Sequence, residues 1–224
     1  MQIYEQLWNE AVSAFERGEP QVDPHLASKT KDLRRGVTLV FRPSTPVRDA
    51  IAGFIAQLTS VCPEQYFYRP EELHVTVLAV VSGTELWQRE MGRVEECRRI
   101  IGEALKKHRP FSMNFRGVSA VPVGAIIQGF PLDNGLRSIR DGIRDAFAEN
   151  GLGDMLDQRY KISGAHMTIM RFCKPQKDLK DLVAFLKQNR QTPFGECEIS
   201  NLQFYLADWY SSTDTVQMLQ EYSF

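Results

Sequence analysis

This sequence has few cysteines, few histidines and almost no net charge, and each of these shortages excludes some classes of function. Only four cysteines and four histidines occur in 224 residues, with no C-x-x-C pair and no zinc-ligand spacing. We therefore expect the cysteines to be reduced and structural. The formal net charge is only -1, so the chain has no excess of lysine and arginine for coating long nucleic acids. A small anionic ligand is compatible with this balance.

Long hydrophobic runs are also absent. No apolar stretch approaches the roughly 18 residues that a membrane-spanning helix needs, and residues 1–18 lack the basic start and apolar centre of a signal peptide. We therefore expect a cytoplasmic protein without a membrane partner, and no obligate protein partner is evident. With 43% hydrophobic and 25% charged residues, the composition is that of an ordinary globular protein.

Apolar periodicity predicts a regular series of helices and strands. Residues 1–17 place Ile3, Leu7, Ala11 and Phe15 on one face of a helix, which we expect to cover part of the core. Residues 19–35 are polar and irregular, which indicates a loop. The strands are predicted at 37–41, 73–81, 111–121, 123–130, 165–172, 197–209 and 215–224, and the helices at 47–58, 84–107, 133–149 and 177–188.

The order strand, helix, strand, helix, strand occurs twice along the chain. We interpret residues 1–224 as a single two-lobed domain, with an N-terminal helix and loop at 1–34, a first repeat at about 35–122 and a second at about 123–224. Alternation within the strands favours antiparallel sheets over a doubly wound parallel sheet. The predicted fold class is α+β, with two pseudo-symmetric lobes of mostly antiparallel sheet, helices on the outer faces and a central groove.

Two matched motifs lie on corresponding strands of the two repeats. Residues 74–77 read His-Val-Thr-Val and residues 166–169 read His-Met-Thr-Ile. Residues two apart in a strand share a face, so each histidine points the same way as its threonine while the intervening apolar residues point into the core. If the two strands lie side by side, both polar pairs line one groove.

Two facing imidazoles suit phosphodiester chemistry. One takes a proton from the attacking oxygen and the other gives a proton to the leaving oxygen, and an unperturbed histidine pKa of about 6.5 supplies both forms near neutral pH. The hydroxyls of Thr76 and Thr168 can donate hydrogen bonds to the non-bridging phosphate oxygens. Neither a metal nor another cofactor is required. A zinc site at His74 and His166 would lack a third protein ligand.

The segments around both motifs resemble those of a known superfamily. Residues 69–77 and 164–172 look like the two His-x-Thr-x motifs of the 2H phosphoesterases, which include 2'-5' RNA ligase-like proteins and cyclic nucleotide phosphodiesterases. Residues 199–206 also resemble the C-terminal part of that family, and the resemblance spans roughly residues 35–224. It implies His74 and His166 as general acid and base, Thr76 and Thr168 as phosphate ligands, and a cyclic phosphate or 2'-5' linkage of a nucleotide or short RNA as substrate.

Further candidates for substrate binding flank the two motifs. Arg171 is common after the second motif in the family, but strict alternation places it on the face opposite His166 and favours a solvated or lobe-bridging arginine. The same alternation places Phe172 on the histidine face. Tyr66, Phe67 and Tyr68 precede the first motif, where an aromatic ring such as that of Tyr68 can stack on a base. Packing in the core or in a loop is an equal alternative for each aromatic residue.

Three basic residues are further candidates for the groove, and a binding module is the alternative to an enzyme. Arg35, Arg159 and Lys161 can add positive potential to the groove, although such residues are usually solvated. The alternative to an enzyme is a nucleotide- or RNA-binding module with the same fold but without turnover. Paired histidines argue against that alternative, because binding alone needs cations more than proton-transfer groups.

Overall fold

The computed structural model describes residues 2–157 and 162–224, which form five α-helices, nine strands and short 3-10 helices. The α-helices are α1 (Gln2–Glu16), α2 (Thr45–Val61), α3 (Met91–Leu105), α4 (Gly135–Glu149) and α5 (Lys180–Gln188). The strands are β1 (Arg35–Phe41), β2 (Tyr66–Phe67), β3 (Val75–Thr84), β4 (Phe111–Val121), β5 (Gly124–Pro131), β6 (Ala165–Arg171), β7 (Pro193–Ile199), β8 (Asn201–Asp208) and β9 (Gln217–Ser223). The 3-10 helices are Pro24–Lys31, Pro70–Glu72, Trp87–Arg89 and Gly153–Met155.

Two sheets form the two lobes. The first has the strand order β3-β1-β8-β9, and the second has the order β2-β6-β5-β4-β7. All the strand pairs described in both sheets are antiparallel. The predicted α+β class, with two lobes of antiparallel sheet, is therefore confirmed.

The two sheets exchange strands between the sequence repeats. β4 belongs to the first repeat but pairs with β5 in the second sheet, and β8 belongs to the second repeat but pairs with β1 in the first sheet. In each repeat one crossing strand, β4 or β8, lies beside the first strand of the other repeat, and a second one, β2 or β9, lies at the edge of a sheet. The two lobes are pseudo-symmetric, but they do not coincide with residues 35–122 and 123–224.

The helices pack on the sheets and enclose one large hydrophobic core. α1, α2 and α5 contact the second sheet, α3 contacts β9 of the first, and α4 contacts both β3 of the first and β4 of the second. Phe54 of α2 stacks on Phe185 of α5 and meets Phe194 of β7 edge-on, which joins two helices to one strand. Ala11 and Phe15 of α1 are buried in the core, as predicted, whereas Ile3 is 42% exposed.

Several predicted boundaries are wrong because pairing between distant strands overrides local periodicity. β3 continues to Thr84, which pairs with Arg35, so the helix predicted at 84–107 begins only at Met91. The single strand predicted at 197–209 is divided at Ser200 into β7, which pairs with β4, and β8, which pairs with β1. β2 is an additional short strand that pairs with β6.

All four cysteines are free; Cys62 and Cys97 are buried, and Cys173 and Cys197 are half-buried. No helix within residues 2–157 and 162–224 is both long enough and apolar enough to cross a bilayer.

Candidate active site

A cavity of about 470 Å³ lies between the two lobes and contains both histidine motifs. Its lining includes His74, Thr76, His166 and Thr168. This volume falls within the range of about 300 to 1,000 Å³ that is typical of small-molecule sites. The two polar pairs that the sequence places on separate strands therefore share one cavity.

Strand alternation explains why each histidine and its threonine face the cavity. Val75 and Val77 are at most 1% exposed, and Met167 and Ile169 are fully buried. In both motifs the odd-numbered residues anchor the strand in the core. The even-numbered residues, which are the histidines and threonines, face the cleft. The neighbouring strand of each sheet fixes the register, because Thr76 pairs with Val40 of β1 and His166 pairs with Gln128 of β5.

His74 is held by the backbone immediately before it. Its Nδ1 lies 2.7 Å from the carbonyl oxygen of Glu72. A carbonyl only accepts hydrogen bonds, so Nδ1 carries the proton and Nε2 is left to exchange protons with a ligand. Burial lowers the pKa of His74 to about 4, and the positive charges of Arg42, His166 and Arg171 act in the same direction, whereas the Glu72 carbonyl opposes them.

His166 is exposed to the cleft, although its ring lies deep between the two lobes. Burial lowers the pKa of His166 to about 4, and the positive charges of Arg140 and Arg171 act in the same direction. Both imidazoles are therefore neutral at neutral pH when no ligand is bound. An anionic phosphate between them would stabilise the protonated form and raise the pKa of the histidine that it contacts.

Arg171 lines the cavity together with the histidines. The prediction from strict strand alternation, which placed it on the face opposite His166, is therefore wrong. In the pairing of β5 with β6, Ile126 faces Thr168 but its neighbour Ala125 faces Met170, so β6 carries an extra residue there. This bulge shifts the alternation by one position and turns Arg171 toward the cleft. A Cβ atom at Gly124, opposite Arg171, would lie 1.9 Å from the Met170 carbonyl oxygen, so the strands at this bulge approach each other too closely for a side chain.

Tyr68 orients Arg171 and also lines the cavity. The Arg171 Nε donates a 2.9 Å hydrogen bond to the Tyr68 hydroxyl, and Tyr68 is 4% exposed. Among the described residues no other side chain accepts a hydrogen bond from the guanidinium, so its terminal nitrogens can bind an anion. Tyr68 therefore acts on Arg171 and does not present an open ring face for a base.

Phe172 is not part of the site. It is fully buried, and its ring meets Phe15 of α1 edge-on at 5.2 Å between centroids. The bulge in β6 explains this error as well, because it reverses the face of every residue after Ile169. Arg35 is also absent from the lining, since its side chain donates to the carbonyls of Asp32 and Arg34. Arg159 and Lys161 lie outside the described residues.

A buried arginine that was not among the sequence-based candidates lies beneath both motifs. Arg140 of α4 is 4% exposed and donates to the carbonyls of Thr76 and Val77 at 2.8 and 3.0 Å. It also donates to the carbonyls of Gly164 and Ser163 at 2.9 and 3.4 Å. One guanidinium therefore joins the first histidine strand to the segment that leads into the second.

Helical periodicity contained a signal for Arg140. Buried positions of α4 are Leu136, Ile139, Arg140, Ile143 and Phe147, so an arginine occupies a position that the apolar stripe assigns to the core. Arginine is rarely buried without strong hydrogen-bond partners. An arginine at a core position of an amphipathic helix thus predicts a structural or functional cluster of acceptors.

Arg42 supports the loop before His74 in a similar way. It follows β1, its Nε donates a 3.0 Å hydrogen bond to the side-chain oxygen of Gln203, and it also donates to the carbonyls of Glu71 and Leu73. These two carbonyls flank the one that binds His74. Nothing in the local sequence distinguishes Arg42 from a solvated arginine, because its partners come from distant segments.

Comparisons with known proteins agree with this arrangement. The profile of the AKAP7 2'5' RNA ligase-like domain family matches residues 42–222. TT0787 of Thermus thermophilus superposes with a TM-score of 0.62 at 16% identity, over 84% of this chain and 97% of that one. E. coli LigT complexed with NADP+ gives a TM-score of 0.57 at 11% identity, over 85% and 97%. A protein described as a phosphoesterase gives 0.57 at 12% identity, over 85% and 98%. A comparison with curated proteins finds no match.

Proposed function

Because the chain belongs to the AKAP7 2'5' RNA ligase-like domain family, within the 2H phosphoesterase superfamily, we propose that it is a phosphodiesterase. Its proposed substrate is a cyclic phosphate or a 2'-5' linkage of a nucleotide or short RNA end. Catalysis uses His74 and His166 and needs no metal ion. E. coli LigT has been crystallised with 3'-AMP, with ATP and with NADP+, which supports a nucleotide as the ligand here.

The observation that carries this proposal is the convergence of both His-x-Thr pairs on one cavity. Each motif alone is a short and common pattern, but two of them on strands of opposite lobes place proton-transfer groups and hydroxyl donors around one space. Arg171 adds a cation to the same space. These groups match the needs of a phosphate whose ester oxygens exchange protons while its non-bridging oxygens gain charge.

The surroundings of the two histidines favour different roles. His74 has a carbonyl partner that stabilises its protonated form, so we assign it as the general acid. Among the described residues His166 has no such carbonyl partner to oppose the effect of burial and of the Arg140 and Arg171 charges, so we assign it as the general base. Thr76 and Thr168 donate to the non-bridging oxygens, and Arg171 neutralises part of their charge.

In the proposed reaction a water molecule attacks the phosphorus of a cyclic diester. The water oxygen bonds to phosphorus while one of its protons moves to Nε2 or Nδ1 of His166. One ring P–O bond breaks, and the leaving oxygen takes the proton from Nε2 of His74. The product is a phosphate monoester with a free hydroxyl, and a proton exchange with solvent restores both histidines.

A turnover screen of chelator-treated protein tests the function. The panel contains 2',3'-cyclic and 3',5'-cyclic mononucleotides, short 2'-5' and 3'-5' oligonucleotides, and ADP-ribose cyclic phosphate. We expect hydrolysis of at least one cyclic phosphate or 2'-5' linkage in excess chelator. His74→Ala and His166→Ala should each lower kcat by about 100-fold or more. The double variant should be hardly worse, because the two groups act in one proton-transfer cycle.

The control for this series is His25→Ala, since His25 is exposed and outside the cavity lining. Full activity of His166→Ala on a verified substrate, with His74→Ala inactive, would exclude the two-histidine mechanism. Binding of nucleotides without turnover of any member of the panel would instead identify a binding module.

A substrate with a good leaving group separates the two assigned roles. A p-nitrophenyl phosphodiester releases an anion that needs no proton, so it bypasses the general acid. We expect His74→Ala to lose much less activity on this substrate than on a cyclic nucleotide, while His166→Ala loses as much on both. The reverse pattern would exchange the two assignments.

A further inference from the structure

The N-terminal helix α1 contributes apolar side chains to the active-site cavity. Ile3 and Leu7, one helical turn apart, line the same cavity as the histidines. Ile3 is 42% exposed and Leu7 is half-buried, whereas the core side of α1 is formed by residues such as Trp8 and Ala11. Two apolar residues at the edge of the core stripe thus face the cleft instead of the interior.

Ile3 and Leu7 form one end of an apolar wall of the cavity, and this wall continues on the second lobe. Val121 and Val123, at the junction of β4 and β5, line the cavity, and so does Ile126 of β5. Ile126 is 1% exposed and its strand neighbour across the ladder is Thr168. The apolar wall therefore runs directly into the proposed phosphate site.

Several contacts hold α1 firmly against this wall. The Tyr4 hydroxyl lies 2.8 and 3.1 Å from the carbonyl oxygens of Ala165 and Gly129, and it accepts a 3.0 Å bond from the Ala165 amide. Tyr4 is 4% exposed, and Ala165 directly precedes His166. Arg190 lies 4.1 Å from the centre of the Trp8 ring, which secures the next turn. The position of α1 relative to His166 is therefore set by buried hydrogen bonds.

The described part of the lining combines one cation with an apolar wall. Among the described lining residues Arg171 is the only lysine or arginine. A phosphate held by Arg171 and the histidines leaves the apolar wall for the organic part of the substrate. A nucleoside phosphate suits a cavity of about 470 Å³.

We infer that Ile3 and Leu7, with Val121, Val123 and Ile126, form the subsite for the base of a mononucleotide whose cyclic phosphate lies between the histidines. This inference rests on the proposed function. A nucleobase is a flat ring with two weakly polar faces, which packs on aliphatic side chains. The family profile begins only at residue 42, so α1 is an addition to the matched region.

The test compares two cyclic phosphates that differ in the organic part. A nucleoside 2',3'-cyclic phosphate carries a base, whereas glycerol 1,2-cyclic phosphate carries the same reacting group without one. In the variant Ile3→Ser/Leu7→Ser, the ratio of kcat/KM for the nucleotide to that for the glycerol ester should fall about 10-fold or more, because apolar contacts to the base are lost. The change should appear mainly in KM.

The matched control is Asn9→Ser, since Asn9 is an exposed residue of the same helix outside the cavity lining. It should keep the parent ratio. Ile3→Ser alone, at a position that is 42% exposed, provides the measurement if circular dichroism shows that the double variant does not fold. An unchanged ratio, or an equal loss on both substrates, would overturn the subsite.

A binding measurement separates this inference from the proposed function. If the parent protein hydrolyses neither these two substrates nor any member of the panel above, the proposed function fails, and the methyl NMR signals of Ile3 and Leu7 then test the subsite alone. Titration with adenosine monophosphate should shift both signals, and ribose 5-phosphate should not. Equal shifts with both probes, or none with either, would refute a base subsite on α1.

Discussion

Replacing Arg140 by methionine removes the cation that joins the two histidine strands and keeps most of the side-chain volume. All four hydrogen bonds described for Arg140 go to backbone carbonyls, two at Thr76 and Val77 and two at Ser163 and Gly164. Burial lowers its pKa to about 10, so the side chain still carries its charge at neutral pH. The substitution therefore leaves acceptors without a donor on both sides of the cleft.

The expected loss of stability follows from these contacts. A hydrogen bond to a charged group contributes about 1.5 to 3 kcal/mol net, and three of the four bonds are 3.0 Å or shorter. Relief of the cost of burying a charge, several kcal/mol, offsets part of their sum. From these opposing contributions we expect a net decrease of about 3 kcal/mol in the free energy of unfolding. Urea unfolding followed by circular dichroism measures it.

The expected loss of activity goes beyond the loss of stability. Displacement of a reacting group by about 1 Å can cost about 100-fold in rate, and Arg140 fixes the backbone next to His166 and at Thr76. We therefore expect kcat/KM to fall about 100-fold at temperatures where the variant is fully folded. Loss of the nearby cation also raises the pKa of His166, so the pH profile should move to higher pH. A purely structural role would leave that profile in place.

The control is Arg137→Met in the same helix, where the side chain is 85% exposed and pairs with Asp141 at 3.6 Å. Exposed pairs of this kind contribute at most about 1 kcal/mol. Equal stability of the Arg140 and Arg137 variants, or an unshifted pH profile in an inactive Arg140 variant, would refute the reasoning.

Two other predictions concern the proposed catalytic groups. Because both unliganded histidines have pKa values near 4, the protonated acid becomes scarcer as pH rises, so kcat/KM should decline above about pH 5. Bound phosphate raises the pKa of the acid, so the decline of kcat should occur at higher pH. Superimposable profiles for kcat and kcat/KM would contradict this order. Thr76→Val and Thr168→Val should each lower kcat about 10-fold, less than either histidine variant, because each removes one hydrogen bond to the phosphate. A loss as large as that of His166→Ala would contradict a purely binding role.

Sequence alone predicted the parts of the site that depend on local alternation. His74 with Thr76, and His166 with Thr168, lie at the starts of strands in which the alternating residues are apolar, and a period of two determines their common face. The same reasoning failed at Arg171 and Phe172, because the bulge in β6 reverses the alternation just before them. A bulge is set by pairing with β5, and the sequence of β6 contains no mark of it.

The strand exchange between the repeats was also beyond the reach of local patterns. The alternation of β4 and β8 predicts strands, but which sheet each one joins depends on partners many residues away. Pairing with β1 also extends β3, the strand of the first motif, beyond the end that its periodicity predicted. By contrast, the burial of Arg140 could have been predicted, since its place in the apolar stripe of α4 is visible in the sequence.

The exchanged strands make each sheet depend on both halves of the polypeptide. A ribosome that has synthesised only the first 122 residues has delivered β4 without its partner β5, and β1 without its partner β8. Neither histidine wall is then complete, so the cleft forms only after nearly the whole chain is available. The same topology predicts that fragments 1–122 and 123–224, each short of a neighbouring strand, would restore the site by association rather than singly.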